Sequence, residues 1–158
     1  MIQLSNISLA FDQRVLMKGV TAHFKRGEMV ALLGRNGTGK STLLRAMAKL
    51  GEVADGEIMV DGHNVADIDI RQFARLVAFV NTERVDVEAL SAYDLVAIGR
   101  SPYTDWRGRL RKEDRAVIER SMQITGIEHL ADRMVETLSD GECQRVMIAR
   151  ALAQDTPV

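Results

Sequence analysis

Apolar and polar residues alternate over the first ten positions. Ile2, Leu4, Ile7 and Leu9 sit among polar neighbours at imperfect spacing, which reads as a strand buried on one face. A second alternation runs from Val20 to Phe24, and Arg26, Gly27 and Glu28 supply a turn after it. Residues 29–33 are a continuous apolar run of the kind that forms a strand covered on both faces of a parallel sheet. Leu43, Leu44, Met47 and Leu50 then recur at helical spacing and predict a helix from residue 39 to about 50. Residues 56–62 read as a strand bounded by glycine turns, 69–76 as a short helix, and 77–80 as another buried strand. Beyond Asn81 the strands disappear. Helices are predicted over residues 91–99, 112–125, 128–132 and 141–154, with an exposed loop of glycine and proline breakers over 100–111.

Between the apolar run and the first helix lies Gly34-Arg35-Asn36-Gly37-Thr38-Gly39-Lys40-Ser41, which fits the phosphate-loop pattern G-x-x-x-x-G-K-[ST] at every fixed position. A triphosphate carries dense negative charge, so such a loop must bring backbone N–H groups close to it, and glycine permits the approach. Lys40 would place a cation at the β- and γ-phosphates, and the Ser41 hydroxyl would ligate magnesium. A strand before the loop and a helix after it put the phosphates at a helix N-terminus. The expected ligands are therefore ATP and Mg2+.

Composition narrows the setting. The 158 residues are 46% hydrophobic, 27% charged and 4% aromatic, as in an ordinary globular chain with one sizeable core. A formal net charge of −1 gives no basic field, so no nucleic-acid partner is expected. Cys143 is the sole cysteine, which suits a reducing compartment. No apolar run approaches the ~18 residues of a membrane span. These features place the protein in the cytoplasm, with any membrane role exercised through a partner.

A second motif names a family. Leu138-Ser139-Asp140-Gly141-Glu142 stands before a helical stretch carrying Gln144-Arg145 and Ala149-Arg150-Ala151-Leu152. It resembles the signature loop of ABC-type ATPases, usually Leu-Ser-Gly-Gly-Gln. The resemblance covers the whole chain and implies an α/β fold: a P-loop NTPase core with an N-terminal antiparallel β subdomain and an α-helical signature subdomain. It divides residues 1–158, as one incomplete ABC-type domain, into core and β subdomain (1–80), helical subdomain (81–140) and signature helix returning to the core (141–158). Phe11 falls where this family stacks an aromatic on adenine. Gly34, Asn36, Gly37, Thr38, Gly39, Lys40, Ser41 and Thr42 would hold the nucleotide, with Thr42 near the α-phosphate. Ser139 and Gly141 would act with Lys40 in catalysis, binding the γ-phosphate of ATP held by a second, head-to-tail copy. Residues 95–103, containing Gly99, Arg100 and Pro102, resemble a stretch in ATPases serving importers of iron–siderophore, haem and cobalamin. The same residues also read as a helix end with a glycine cap, an arginine on carbonyls and a proline stop.

Departures from the family pattern are equally legible. The glutamine expected after residues 77–80 is replaced by Asn81-Thr82-Glu83; Thr82 is taken as the metal-side residue, with Asn81 and Glu83 as alternatives. Asp140 stands for a glycine and Glu142 for a glutamine, placing two carboxylates where an anion should bind. The family's strand ending in Asp-Glu and its switch histidine are not matched, and His23, His63 and His129 lie elsewhere. The chain thus reads as an N-terminal fragment, expected to be marginally stable or self-associating when isolated. The function implied is an ATP-binding and, when complete, ATP-hydrolysing subunit peripheral to the cytoplasmic face of the cell membrane. Its partners would be permease subunits and its cargo an iron chelate. The alternatives are a soluble ABC-type ATPase uncoupled from transport, or a nucleotide-binding module without hydrolysis.

Overall fold

The computed structural model describes residues 1–11, 14–81 and 89–158, without the side chain of Phe11. They form two compact units, Met1–Val77 with Pro157–Val158, and Ala78–Thr156.

The first unit is built on strands β1 (Ile2–Phe11), β2 (Arg14–Phe24), β3 (Asp55–Val60) and β4 (His63–Asn64). They pair antiparallel in the order β2-β1-β3-β4. The imperfect alternation of β1 has a local cause. Asn6 takes a left-handed conformation (φ 54°), and the ladder to β2 shifts register between Leu4 and Ile7. An extra residue in one strand resets the pleat, so both Leu4 and Ile7 are fully buried although three positions apart. Helix α1 (Lys40–Met47) packs Leu43 and Ala46 into the same apolar cluster, together with Ile58, Val60 and Phe73. Lys49, just past its end, donates to the carbonyls of Val65 (2.6 Å) and Ala66 (3.2 Å) and to that of Ile68. The short helix α2 (Ile70–Phe73) starts from Asp69, whose side chain accepts from the Arg71 and Gln72 N–H groups.

Two sequence expectations fail here. Residues 29–33 and 77–80 form no strand. Leu33 is 88% exposed and Val30 55%, whereas residues 77–80 are half-buried. A parallel strand is held only by neighbours supplied from distant sequence. Among the described residues the sheet is antiparallel throughout, and none of its strands pairs with either run.

The second unit is helical: α3 (Ala92–Ala97), α4 (Lys112–Thr125) and α5 (Asp140–Ala153) share a core of Leu95, Val96, Ile118, Met122, Val146 and Ala149, among others. Helix α4 has the bounds the periodicity predicts, while the stretch after it shortens to one 3-10 turn, Glu128–Leu130. Helix α3 tightens into a 3-10 turn, Ile98–Arg100. Gly99 is not the left-handed cap its sequence suggests. Glycine is required there because a Cβ would lie 2.3 Å from the Arg150 carbonyl oxygen of α5.

Arg100 is buried beside it. Its Nε and Nη2 both lie 2.9 Å from Asp114 Oδ1, Nη1 donates to the Ala153 carbonyl at 3.0 Å, and the guanidinium sits 4.0 Å from the Tyr103 ring centroid. One side chain therefore joins α3's end, α4's first turn and α5's last turn. Burial pushes the Asp114 carboxyl up, but the Arg111 N–H and the Arg100 guanidinium together outweigh burial and hold it below the usual 3.8. A depressed carboxyl contributes stability that is full above the unfolded value and is lost as pH falls through the folded one. Arg100→Ala should cost about 3–5 kcal/mol in denaturant unfolding, because it strands a buried carboxylate. Asp114→Asn should flatten the acid limb of the stability profile below about pH 4, measured by circular dichroism at a series of pH values.

Candidate nucleotide site

Residues 34–39 turn at Asn36 and Gly37 and run into α1 without a strand behind them. Gly39 is the N-cap, with φ 88°. A side chain there would be strained by that dihedral, and its Cβ would stand 3.2 Å from Leu16 Cβ on β2. Glycine thus lets the loop enter the helix against the sheet.

The loop is closed on itself by two side chains. Lys40 Nζ donates to the carbonyls of Gly34 (2.9 Å) and Arg35 (2.8 Å), and Thr38 Oγ1 donates to the Arg35 carbonyl at 2.9 Å. The ammonium thus bridges two carbonyls of the loop in an exposed setting. Lys40 as a residue is half-buried, whereas Gly34, Asn36, Gly37 and Thr38 are exposed. Ser41 and Thr42 follow in the first turn of α1, where backbone N–H groups have no acceptor within the helix. A cation, a helix start with its positive dipole end, and an open glycine-rich turn together suit an anion with several oxygens. The hydroxyl of Ser41 at that helix start is a hard oxygen donor suited to magnesium.

The remaining predicted positions divide. Phe11 ends β1 opposite Arg14, and its ring lies outside what is described. Thr82 and its alternative Glu83 also lie outside the described residues; Asn81 is half-buried. Ser139 and Gly141 belong to the helical unit, at the start of α5. The structure therefore brings Gly34 to Thr42 together in one loop and the helix turn that follows it, and sets the signature residues on the other unit.

At the start of α5, Ser139 is the N-cap and Glu142 answers it. The Ser139 N–H and hydroxyl both donate to Glu142 Oε2, at 2.8 and 2.7 Å, and the Glu142 N–H donates back to Ser139 Oγ at 3.4 Å. This is a capping box. Arg133, which sequence reasoning passed over, reaches Glu142 Oε1 at 3.5 Å and donates to the Thr137 carbonyl at 2.9 Å. The side-chain and backbone hydrogen bonds from Ser139 hold the Glu142 carboxyl below its usual value, with Arg133 adding to them. Asp114 was also missed. A carboxylate three residues into a predicted helix, opposite Arg111, was the available signal.

An antiparallel β unit, a phosphate-loop helix and a helical unit carrying a capped signature loop define the class, a P-loop fold of the α/β type. The ABC transporter family profile matches residues 17–158, and the chain belongs to that family. Over 161 aligned residues it is 37% identical to the petrobactin import ATP-binding protein of Bacillus anthracis, covering 100% of this chain and 58% of the relative. It is 36% identical to the ferric enterobactin transport ATP-binding protein of Escherichia coli, covering 96% and 56%. The chain thus spans little more than half the length of these relatives. Among solved structures, an ATP-binding cassette captured as a dimer after hydrolysis, with ADP and Pi, superposes with TM-score 0.82 at 28% identity over 99% of this chain and 71% of that one. An ATP-binding subunit of an ABC transporter superposes with TM-score 0.84 at 26% identity, over 98% and 62%. No described helix is long and apolar enough to cross a membrane.

Gly39→Ala should destabilise the chain by about 1–3 kcal/mol through the left-handed strain and the contact with Leu16. Thermal unfolding of the two proteins compared without nucleotide would measure it.

Proposed function

We propose that the chain is the nucleotide-binding portion of a transport ATPase subunit that powers a membrane importer of iron–siderophore or a related metal chelate. The observation that carries the nucleotide reading is the closed loop around Lys40. In that loop the ammonium rests on the Gly34 and Arg35 carbonyls, two acceptors that phosphate oxygens would replace. Exchange of neutral carbonyls for an anion strengthens each hydrogen bond to the ammonium. The importer reading, and the chelate class, rest on the relatives named for petrobactin and ferric enterobactin transport.

In this reading Gly34, Asn36, Gly37, Thr38 and Gly39 present the loop backbone to the phosphates, Lys40 neutralises the β- and γ-phosphates, and Thr42 lies toward the α-phosphate. Ser41 would hold magnesium, which supplies further charge neutralisation when bound; Thr82 is proposed on the metal side as well. Phe11 is proposed to stack on adenine. Ser139 and Gly141 meet the γ-phosphate of ATP on a second copy, so that two nucleotides lie between two head-to-tail chains. The cassette solved as a dimer with ADP and Pi supports the dimer part of that reading. Phosphoryl transfer to water under such conditions is catalysed by positioning and electrostatics rather than by covalent chemistry. Hydrolysis, coupling to permease subunits and a station on the cytoplasmic face of the membrane belong to this proposal for the whole protein.

Lys40→Ala removes two or more charge-assisted contacts of about 1.5–3 kcal/mol each. ATP affinity, measured by calorimetric titration with magnesium, should fall at least about 100-fold. Unchanged tight binding in that variant would sink the assignment of the loop.

A further inference from the structure

The Glu142 carboxylate holds two donors of Ser139, its hydroxyl and its N–H, at the residue that the dimer reading sets against phosphate. We propose that Glu142 is an internal competitor for phosphate at the signature loop, so that ATP on a facing copy reaches Ser139 only after the Glu142 carboxylate releases it. The inference rests on the ATP-binding, head-to-tail reading above.

Two observations and one electrostatic argument carry it. First, both donors converge on one oxygen, Glu142 Oε2, at 2.8 and 2.7 Å, which is the geometry of an anion bound at a helix start. Second, the other carboxylate oxygen is engaged by Arg133 at 3.5 Å, and Arg133 is itself tied to the Thr137 carbonyl at 2.9 Å. The carboxylate is therefore held from both sides. Third, a like charge held there opposes an incoming phosphate whether or not the hydrogen bonds are exchanged.

Helix α3 shows that the device itself is general. Ser91 donates its hydroxyl to Asp94 Oδ2 at 2.6 Å in the same way, and there it serves only to start a helix. What separates α5 is that its capping serine lies in the family's signature loop. A glutamine at residue 142 could still accept the Ser139 N–H, because a capping box takes either side chain. It would hold the hydroxyl less tightly and carry no charge.

The test is ATP-driven association of the full chain, followed by sedimentation velocity against the concentration of a non-hydrolysable ATP analogue with magnesium. Four proteins are compared: wild type, Glu142→Gln, Ser139→Gly and the double variant. Glycine at an N-cap is nearly as well tolerated as serine, so the hydroxyl is removed with the helix start kept. Helix content is checked by circular dichroism. Glu142→Gln should lower the analogue concentration for half-association about threefold to tenfold, Ser139→Gly should raise it, and the gain from Gln should shrink in the double variant. If Ser139→Gly weakens association but Glu142→Gln leaves it unchanged or weaker, the competitor proposal is overturned while the signature-loop reading stands. If Ser139→Gly leaves association unchanged in a chain that still binds nucleotide, that reading falls and this proposal with it.

Discussion

Main-chain carbonyls that neither a helix nor a ladder satisfies take another donor, and at four places in this protein that donor is a cationic side chain. A buried or half-buried carbonyl without a partner costs free energy comparable to a lost hydrogen bond. Lys49 gathers three such carbonyls where the chain leaves β4. Arg100 takes the Ala153 carbonyl at the end of α5. Arg133 takes that of Thr137 just before the signature loop, and Lys40 takes two in the phosphate loop. The first two lock elements together. The last two sit where an anion is proposed to bind, so there the arrangement doubles as a reserve of positive charge.

That distinction follows from burial. Arg100 has both a buried carboxylate partner and an aromatic face over it, and nothing in its surroundings can replace them without leaving a charge stranded. Among the described residues Lys40 has neutral carbonyls as its partners, in a loop whose glycines are largely exposed. A cation on neutral acceptors can be drawn to an anion at small cost, whereas a cation in a buried ion pair cannot. The Gly99-Arg100 stretch, which in sequence resembles a mark of importer type, is thereby accounted for by packing: Gly99 lets the turn approach the α5 backbone and Arg100 ties that helix to α4.

Much of this was legible in the sequence because much of it is local. The bounds of α4 follow from its periodicity and from Gly126, and the phosphate loop is written in eight consecutive residues. The slip in β1 was visible as imperfect spacing, though not its cause at Asn6. The failures are nonlocal. Residues 29–33 have the composition of a buried strand, but composition cannot supply the neighbour that makes a parallel strand. Gly99 was read as a cap because its packing against Arg150 spans some fifty residues of sequence, a separation no local pattern encodes. Asp114 was passed over because an acidic residue in a first helical turn is ordinary until a buried arginine is placed against it.

The two carboxylates of the signature loop show how local and ligand chemistry can compete for one group. From sequence alone both looked like obstacles to an anion. The structure separates them: Asp140 and Gly141 are exposed in the first turn of α5, and Glu142 turns back onto Ser139. A helix needs its first N–H groups capped, and a serine followed three residues later by an acid does this well. A phosphate bound at the same helix start would do it equally well. Helix stability and phosphate binding at that point therefore draw on the same donors, and whatever strengthens the cap with a built-in anion weakens the case for a mobile one. A charged cap makes the start of α5 self-sufficient, while a neutral cap would leave it partly dependent on the proposed ligand. On this argument, if phosphate binds there as proposed, the identity of residue 142 sets how much of the loop's order exists beforehand and how much the ligand must provide.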